Sequence, residues 1–167
     1  MPEPSLSATD LLAWVDQTAQ HWKRLLSAHP EALTLSCDIA GVNSVSELLQ
    51  HIVAVQLRYA QSLSDLPQTP YDQIPFGSLD AIYATHERSL QLYRDLFAQP
   101  GIDWSQTIEF PTRSLGRLAS TRSGIVFHAL LHAIRHYAQL ATLVRQHNIK
   151  PDWQMDYLMM VARPANA

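Results

Sequence analysis

The 167-residue chain is long enough to bury the core of one domain and too short for two, and its 47% hydrophobic residues suit a globular protein. The formal net charge of −3, with no basic run, argues against nucleic acid or an anionic membrane surface as a partner. The single cysteine, Cys37, excludes an intrachain disulfide, and since the N-terminus shows no export signal we expect a cytoplasmic protein.

Helical periodicity predicts the first two elements. The first helix follows the start signal Ser7-x-x-Asp10 and ends at His29-Pro30, because proline cannot continue a helix. Its apolar stripe is formed by Leu11, Val15, Trp22 and Leu26. The second helix begins after Ser44, and Glu47 is the expected reciprocal partner in a capping box. Its inward side includes Leu48, Ile52, Tyr59 and Leu63.

A linker rich in turn-forming residues separates the second helix from the third. The third helix is predicted to begin at Ser78 and to stop at Gln99-Pro100-Gly101. The helical period is then lost: Thr107–Phe110 has the pattern of an extended segment, and Leu115–Leu118 that of a second short strand. We therefore expect a small hairpin or irregular excursion before the next helix.

The fourth helix is the longest apolar run of the chain. It is predicted to open near Ser120 or Thr121 and to run to about His147, with Asn148 as a left-handed residue after its end. Within it, Gly124–Val144 resembles a membrane span, but its polar side chains would be costly in lipid. These side chains are His128, His132, Arg135, His136 and Gln139. We expect no membrane insertion.

The predicted fold class is all-α. It is a four-helix bundle with a small irregular or hairpin excursion before the fourth helix, and a short helical turn over Trp153–Met160 completes the chain. The pattern predicts a single domain over residues 1–167, with its core at about residues 7–158. Bundles build metal and ligand sites from inward-facing side chains of different helices.

Histidines on the fourth helix are the candidate metal ligands. Residues four apart on a helix lie about 6 Å from each other on one face, so either His128 with His132 or His132 with His136 can share one ion. Spacing alone does not choose between the pairs, and a buried polar ladder without metal is the alternative. An open metal site uses three protein ligands, and His51 on the second helix is the best candidate for the third.

Three other side chains are candidates for a supporting role. Gln139 falls on the face of His136 and can orient a ligand or a bound water. Arg58 is seven residues after His51 and can receive an anionic substrate group, although a solvated arginine is the simpler interpretation. His86 lies on the inward stripe of the third helix, where it either faces the same cavity or is a hydrogen-bonded core histidine.

The run from Phe127 to Leu140, together with His51 on an earlier helix, resembles the DinB/YfiT-like superfamily of four-helix bundles. The resemblance implies that His51, His132 and His136 bind a divalent metal such as zinc or nickel, and that Gln139 is the glutamine expected three residues after the last ligand. His128 then precedes the motif, and it is a further candidate for a supporting role near the ligands or in the pocket. The sequence departs from the family pattern at Arg135, Tyr137 and Ala138, and none of these departures removes a ligand.

The resemblance also implies a function. Many relatives use the metal with a low-molecular-weight thiol cosubstrate (mycothiol, bacillithiol or glutathione), which implies a thiol-dependent S-transferase or isomerase acting on a small molecule. One alternative is a non-catalytic stress-associated bundle with a structural metal or small-ligand site. Another is a metal-free bundle whose histidines are core residues. Many relatives dimerise, and the apolar residues around the fourth helix favour a homodimer here.

Overall fold

The computed structural model describes residues 5–165, which form four long helices and one β-hairpin. The long helices are α1 (Ala8–Ala28), α2 (Val45–Leu63), α3 (Leu79–Ala98) and α4 (Arg122–Gln146). The antiparallel strands β1 (Thr107–Pro111) and β2 (Arg117–Thr121) lie between α3 and α4, and a short helix α5 (Tyr157–Val161) follows. The predicted helical bundle with a hairpin before the fourth helix is therefore confirmed.

Side-chain caps fix where the first two helices begin. At α1 the capping box is complete: Asp10 N–H donates to Ser7 Oγ at 3.0 Å, and Ser7 N–H donates to Asp10 Oδ2 at 3.1 Å. At α2 only half of the predicted box forms. Ser44 Oγ accepts the Glu47 N–H, but the Glu47 carboxylate accepts from the backbone N–H of Asn43, at 2.9 Å, instead of from Ser44. The cap still satisfies an N–H group that the helix leaves free.

The second strand begins later than predicted, at Arg117 and not at Leu115. The reason is the turn. Thr112 N–H donates to the Gly116 carbonyl at 2.8 Å, and Gly116 has a φ of 71°, which glycine adopts without a steric cost. Because of these contacts Leu115 lies in the loop and not in the strand, and its side chain is exposed.

The C-terminal helical turn is also shorter than predicted, because it begins at Tyr157 and not at Trp153. The Trp153 side chain instead packs edge-on against the fully buried Trp22, with ring centroids 5.2 Å apart. Asn148 has the predicted left-handed conformation after α4, with a φ of 62°.

Packing of α2 against α4 positions the histidines. α2 contacts both α3 and α4, and α1 closes the bundle against the same two helices. Trp22 of α1 stacks on Tyr137 of α4, so the side of α4 next to the histidines is anchored in the core.

Across residues 5–165, none of the helices has the length and apolar character that a membrane crossing requires.

Candidate metal centre

Three histidines from two helices converge on one point. His132 Nε2 lies 3.1 Å from His51 Nε2 and 3.1 Å from His136 Nε2. One nitrogen from each of the three rings lies within 4.8 Å of the others. His132 and His136 are buried, and His51 is half-buried at the side of α2 that faces α4. The structure thus brings together the three residues that the sequence singled out.

The donor set fits a divalent ion. Nitrogen ligands 2.0–2.1 Å from one ion, at bond angles between a right angle and a tetrahedral one, lie about 2.9–3.4 Å apart. Two of the three Nε2 pairs already have such a spacing, at 3.1 Å. When all three Nε2 atoms are unprotonated their lone pairs repel one another, and a cation between them removes that repulsion. Neutral imidazoles are also the nitrogen ligands that zinc and nickel accept.

Gln139 fixes the tautomer of His136. Since Gln139 Oε1 can only accept, His136 Nδ1–H donates to it at 2.7 Å. The Nε2 of His136 then carries no proton and points its lone pair at the other two rings. A hydrogen bond of this kind, on the nitrogen opposite the ligand atom, is the usual support of a metal-binding histidine.

The rings of His51 and His132 have no hydrogen bond of this kind within residues 5–165. Their Nδ1 atoms are buried and have no hydrogen-bond partner in the described part of the chain. When Nε2 is the ligand atom, Nδ1 carries the proton, and an unpaired buried N–H costs about 1–3 kcal/mol. The two rings are therefore held by packing, and His136 is the only ligand of the set with a hydrogen-bonded orientation within residues 5–165.

Burial keeps the three imidazoles neutral. Together with nearby positive charges, it lowers the pKa of His51 to about 4 and that of His132 to about 2. Burial also lowers the pKa of His136, although the hydrogen bond to Gln139 opposes this. At neutral pH all three rings therefore offer a free lone pair, which is the form that binds metal.

We expect the metal-free protein to lose stability as the pH falls below about 6.5, the ordinary pKa of histidine. The unfolded chain then binds protons that the folded state does not take up until the pH approaches the lowered values of His51 and His132. Thermal melts from pH 7.5 to 4.5 in the presence of a chelator measure the slope of the melting temperature against pH. The slope should be shallower in His51→Gln and unchanged in the exposed-site control His147→Gln; equal slopes in all three proteins would contradict the prediction.

Arg135 is a site residue whose part was not predicted from the sequence. Its Nη2 lies 3.0 Å from His136 Nε2, so the guanidinium donates to the same lone pair that a metal would use. The sequence showed Arg135 only as a departure from the family pattern. Its position three residues after His132, on the same helix face, was the signal that placed it near the ligands.

Arg135→Gln should therefore strengthen metal binding. The substitution removes a positive charge and a competing hydrogen bond of modest net strength, so the affinity for zinc should rise about 2- to 10-fold. Competition with a chromophoric chelator measures the change. Arg145→Gln, an exposed arginine near the end of the same helix, is the matched control and should have no effect. An unchanged or weaker affinity in Arg135→Gln would count against competition by Arg135.

Two other candidate residues, His128 and Arg58, lie beside the three histidines. His128 is exposed, and its ring centroid lies 5.6 Å from that of His132 and 5.6 Å from that of Tyr59. Arg58 lines a narrow pocket that also includes His51. Cys37 is buried, and burial raises the pKa of its thiol, which makes it a poor nucleophile.

His86 belongs to a different cluster. It is fully buried on α3, its Nδ1 lies 3.0 Å from Gln56 Oε1, and its Nε2 lies 3.7 Å from the Asp16 carboxylate. Asp16 in turn pairs with Arg94 at 3.0 Å. These contacts match the predicted alternative of a hydrogen-bonded core histidine.

The fold and the site together define a helical bundle with a three-histidine group that can hold a metal ion. The DinB family profile matches residues 1–161, which is nearly the whole chain, and the protein therefore belongs to the DinB family. No curated protein matches the sequence at a significant level.

Proposed function

We propose that His51, His132 and His136 bind one divalent metal ion through their Nε2 atoms and that the site serves a thiol-dependent S-transferase or isomerase reaction on a small molecule. The observation that carries the metal site is the convergence of the three nitrogens, two pairs of which lie 3.1 Å apart. Membership of the DinB family supports the assignment, because the metal and the thiol cosubstrate are what the resemblance implies.

The residues of the site have different roles in this proposal. The three neutral ligands leave the full charge of the ion and at least one open position, and an ion held in this way lowers the pKa of a bound thiol. Gln139 orients His136, and the burial of the two α4 histidines keeps water from surrounding the ligands. Cys37 lies in the segment before α2 and has no part in the proposal.

Turnover tests the catalytic half of the proposal. Metal-loaded protein is incubated with glutathione, bacillithiol or mycothiol and an aryl halide electrophile, and loss of the free thiol is followed. We expect a rate that depends on one of these thiols, disappears with a chelator and is absent in His132→Ala. If the loaded protein shows no thiol-dependent turnover with any of the three, the S-transferase proposal is wrong.

A non-catalytic structural metal or small-ligand site is the second candidate. The narrowness of the pocket beside His51, with a volume of about 40 Å³, favours it, because a bulky substrate does not fit there without movement of the hairpin. One equivalent of bound metal that raises the melting temperature, without turnover, is the result that this candidate predicts.

We also propose that the protein forms a homodimer. Phe127 and Leu131 on α4 expose 36% and 48% of their surface, and they mark the face on which we expect the partner subunit. Sedimentation velocity on wild-type protein and on Leu131→Asp tests this, with a dimer expected for the first and a monomer for the second.

A further inference from the structure

A narrow pocket lies beside the three histidines, between α2 and the tip of the hairpin. One wall is formed by α2 and includes His51 and Arg58, and Pro111–Arg113 of the hairpin closes the other side. Tyr59 and Tyr71 complete the polar part of the lining. The pocket is therefore a short extension of the candidate metal centre away from His132 and His136.

Two guanidinium groups in this pocket have no acidic partner. Neither Arg58 nor Arg113 forms a salt bridge with any residue from 5 to 165. The Nε atom of Arg58 and the hydroxyl of Tyr71 are buried and have no hydrogen-bond partner among the same residues. Buried polar groups are normally paired, so these two buried donors without partners, beside the exposed guanidinium of Arg113, indicate a missing acceptor.

Arg113 is exposed at the hairpin tip and contacts the ring of Tyr71. Its guanidinium carbon lies 4.0 Å from the centroid of the Tyr71 ring, a cation–π contact that holds the side chain over the pocket. Two positive charges that share a pocket repel each other, and an anion between them removes the repulsion. A carboxylate accepts from two guanidinium groups and a hydroxyl at once.

We propose that Arg58, Arg113 and Tyr71 bind a carboxylate of the substrate or cosubstrate whose other end reaches the metal. This inference rests on the proposed function, because it assigns the substrate class of the same site. The pocket volume of about 40 Å³ has room for a carboxylate and not for a bulky group.

The spacing of His51 and Arg58 along α2 sets the length of the ligand. Arg58 lies seven residues after His51, which is about 10 Å along α2, and helical side chains lean back toward the N-terminus and thus toward His51. The carboxylate should therefore lie between about 5 and 10 Å from the atom that reaches the metal. A flexible chain of five or six carbon atoms between thiol and carboxylate covers this range.

The first experiment does not need the metal. Protein as purified is titrated with succinate by calorimetry or NMR, alongside Arg58→Gln, Arg113→Gln, the double variant and the control Arg117→Gln, whose arginine pairs with Glu109 on the same hairpin. We expect binding that weakens about tenfold for each guanidinium removed and is unchanged in the control. Absence of binding to wild type, equal binding by the double variant, or tighter binding of inorganic phosphate than of succinate would overturn the proposal.

A second experiment identifies which molecule carries the carboxylate. Cobalt-loaded protein is titrated with 6-mercaptohexanoate and with 6-mercaptohexanol, which differ only in the charged group, and the visible spectrum is followed. A preference of about tenfold for the acid, lost in the double variant, assigns the carboxylate to the thiol. Equal affinities, with succinate still bound beside the alcohol, assign it to the second substrate.

The two proposals fail in different ways. If the protein binds no cobalt, the metal site is wrong, while the succinate titration still decides whether Arg58 and Arg113 form an anion site. If cobalt and both thiols bind but succinate does not, the metal site stands and the carboxylate site is refuted.

Discussion

Replacing His132 with alanine should abolish metal binding. His132 is the central ligand, since its Nε2 lies 3.1 Å from the Nε2 atoms of both other histidines. Loss of an outer partner of a ligand costs about 10- to 100-fold in metal affinity, so loss of the ligand itself should cost more than about 100-fold. Equilibrium dialysis against zinc, with a chromophoric competitor, measures the affinity.

His128→Ala is the matched control for this experiment. The residue lies one helical turn before His132 and is exposed, and its ring is near Tyr59 as well as His132. We expect it to bind zinc within about twofold of wild type. The opposite result, with metal lost in His128→Ala and retained in His132→Ala, would mean that the ligand pair on α4 is His128 with another residue. Circular dichroism melts of both variants establish that they are folded.

Gln139→Ala should weaken metal binding without abolishing it. The Gln139 carbonyl accepts from His136 Nδ1–H at 2.7 Å and so keeps the lone pair of the ring on Nε2. Without this acceptor the ring can turn or change tautomer, and we expect the zinc affinity to fall about 10- to 100-fold. The effect should be visible in the same competition assay.

Two further variants show whether Gln139 acts through its hydrogen bond. Gln139→Glu keeps an acceptor at the same place and should retain the wild-type affinity or exceed it. Gln146→Ala removes an exposed glutamine near the end of the same helix and should have no effect. If Gln139→Ala binds zinc as tightly as wild type does, His136 is oriented by packing alone and the assigned part of Gln139 is wrong.

The helices were predictable because their signals are local. Ser7 and Ser44 each cap the helix that follows them, as their spacing indicated, and Asn148 has the left-handed conformation expected after α4. The third helix, predicted to begin at Ser78, begins one residue later with Ser78 as its cap. One error, at the start of α2, occurs where one local signal competes with another. Glu47 caps through Asn43 because that N–H is within reach as well, and sequence does not rank the two.

The boundaries of the hairpin and of the tail depend on contacts that sequence spacing does not show. Closure of the turn between Thr112 and Gly116 sets the first residue of β2, and a pattern of alternating side chains does not reveal it. Trp153 is taken out of the last helix by packing against Trp22, a residue 131 positions earlier in the chain. Tertiary packing of this kind overrides local propensity.

The candidate site was predictable only in part. The i, i+4 spacing placed His132 in either possible pair, and only the family resemblance selected His136 as its partner. The structure brings His51, His132 and His136 together, which agrees with that selection. Arg113 reaches the pocket from the hairpin tip, so its place depends on a loop whose geometry the sequence does not specify.

Metal stoichiometry of the untagged wild-type protein is the most direct test of the central claim. The protein is incubated with zinc or nickel, freed of excess ion by gel filtration, and analysed by inductively coupled plasma mass spectrometry. The convergence of His51, His132 and His136 predicts about one equivalent of bound ion per chain, lost in His51→Ala as well as in His132→Ala. Wild-type protein that retains no ion after this treatment would contradict the account and leave a helical bundle with buried, metal-free histidines.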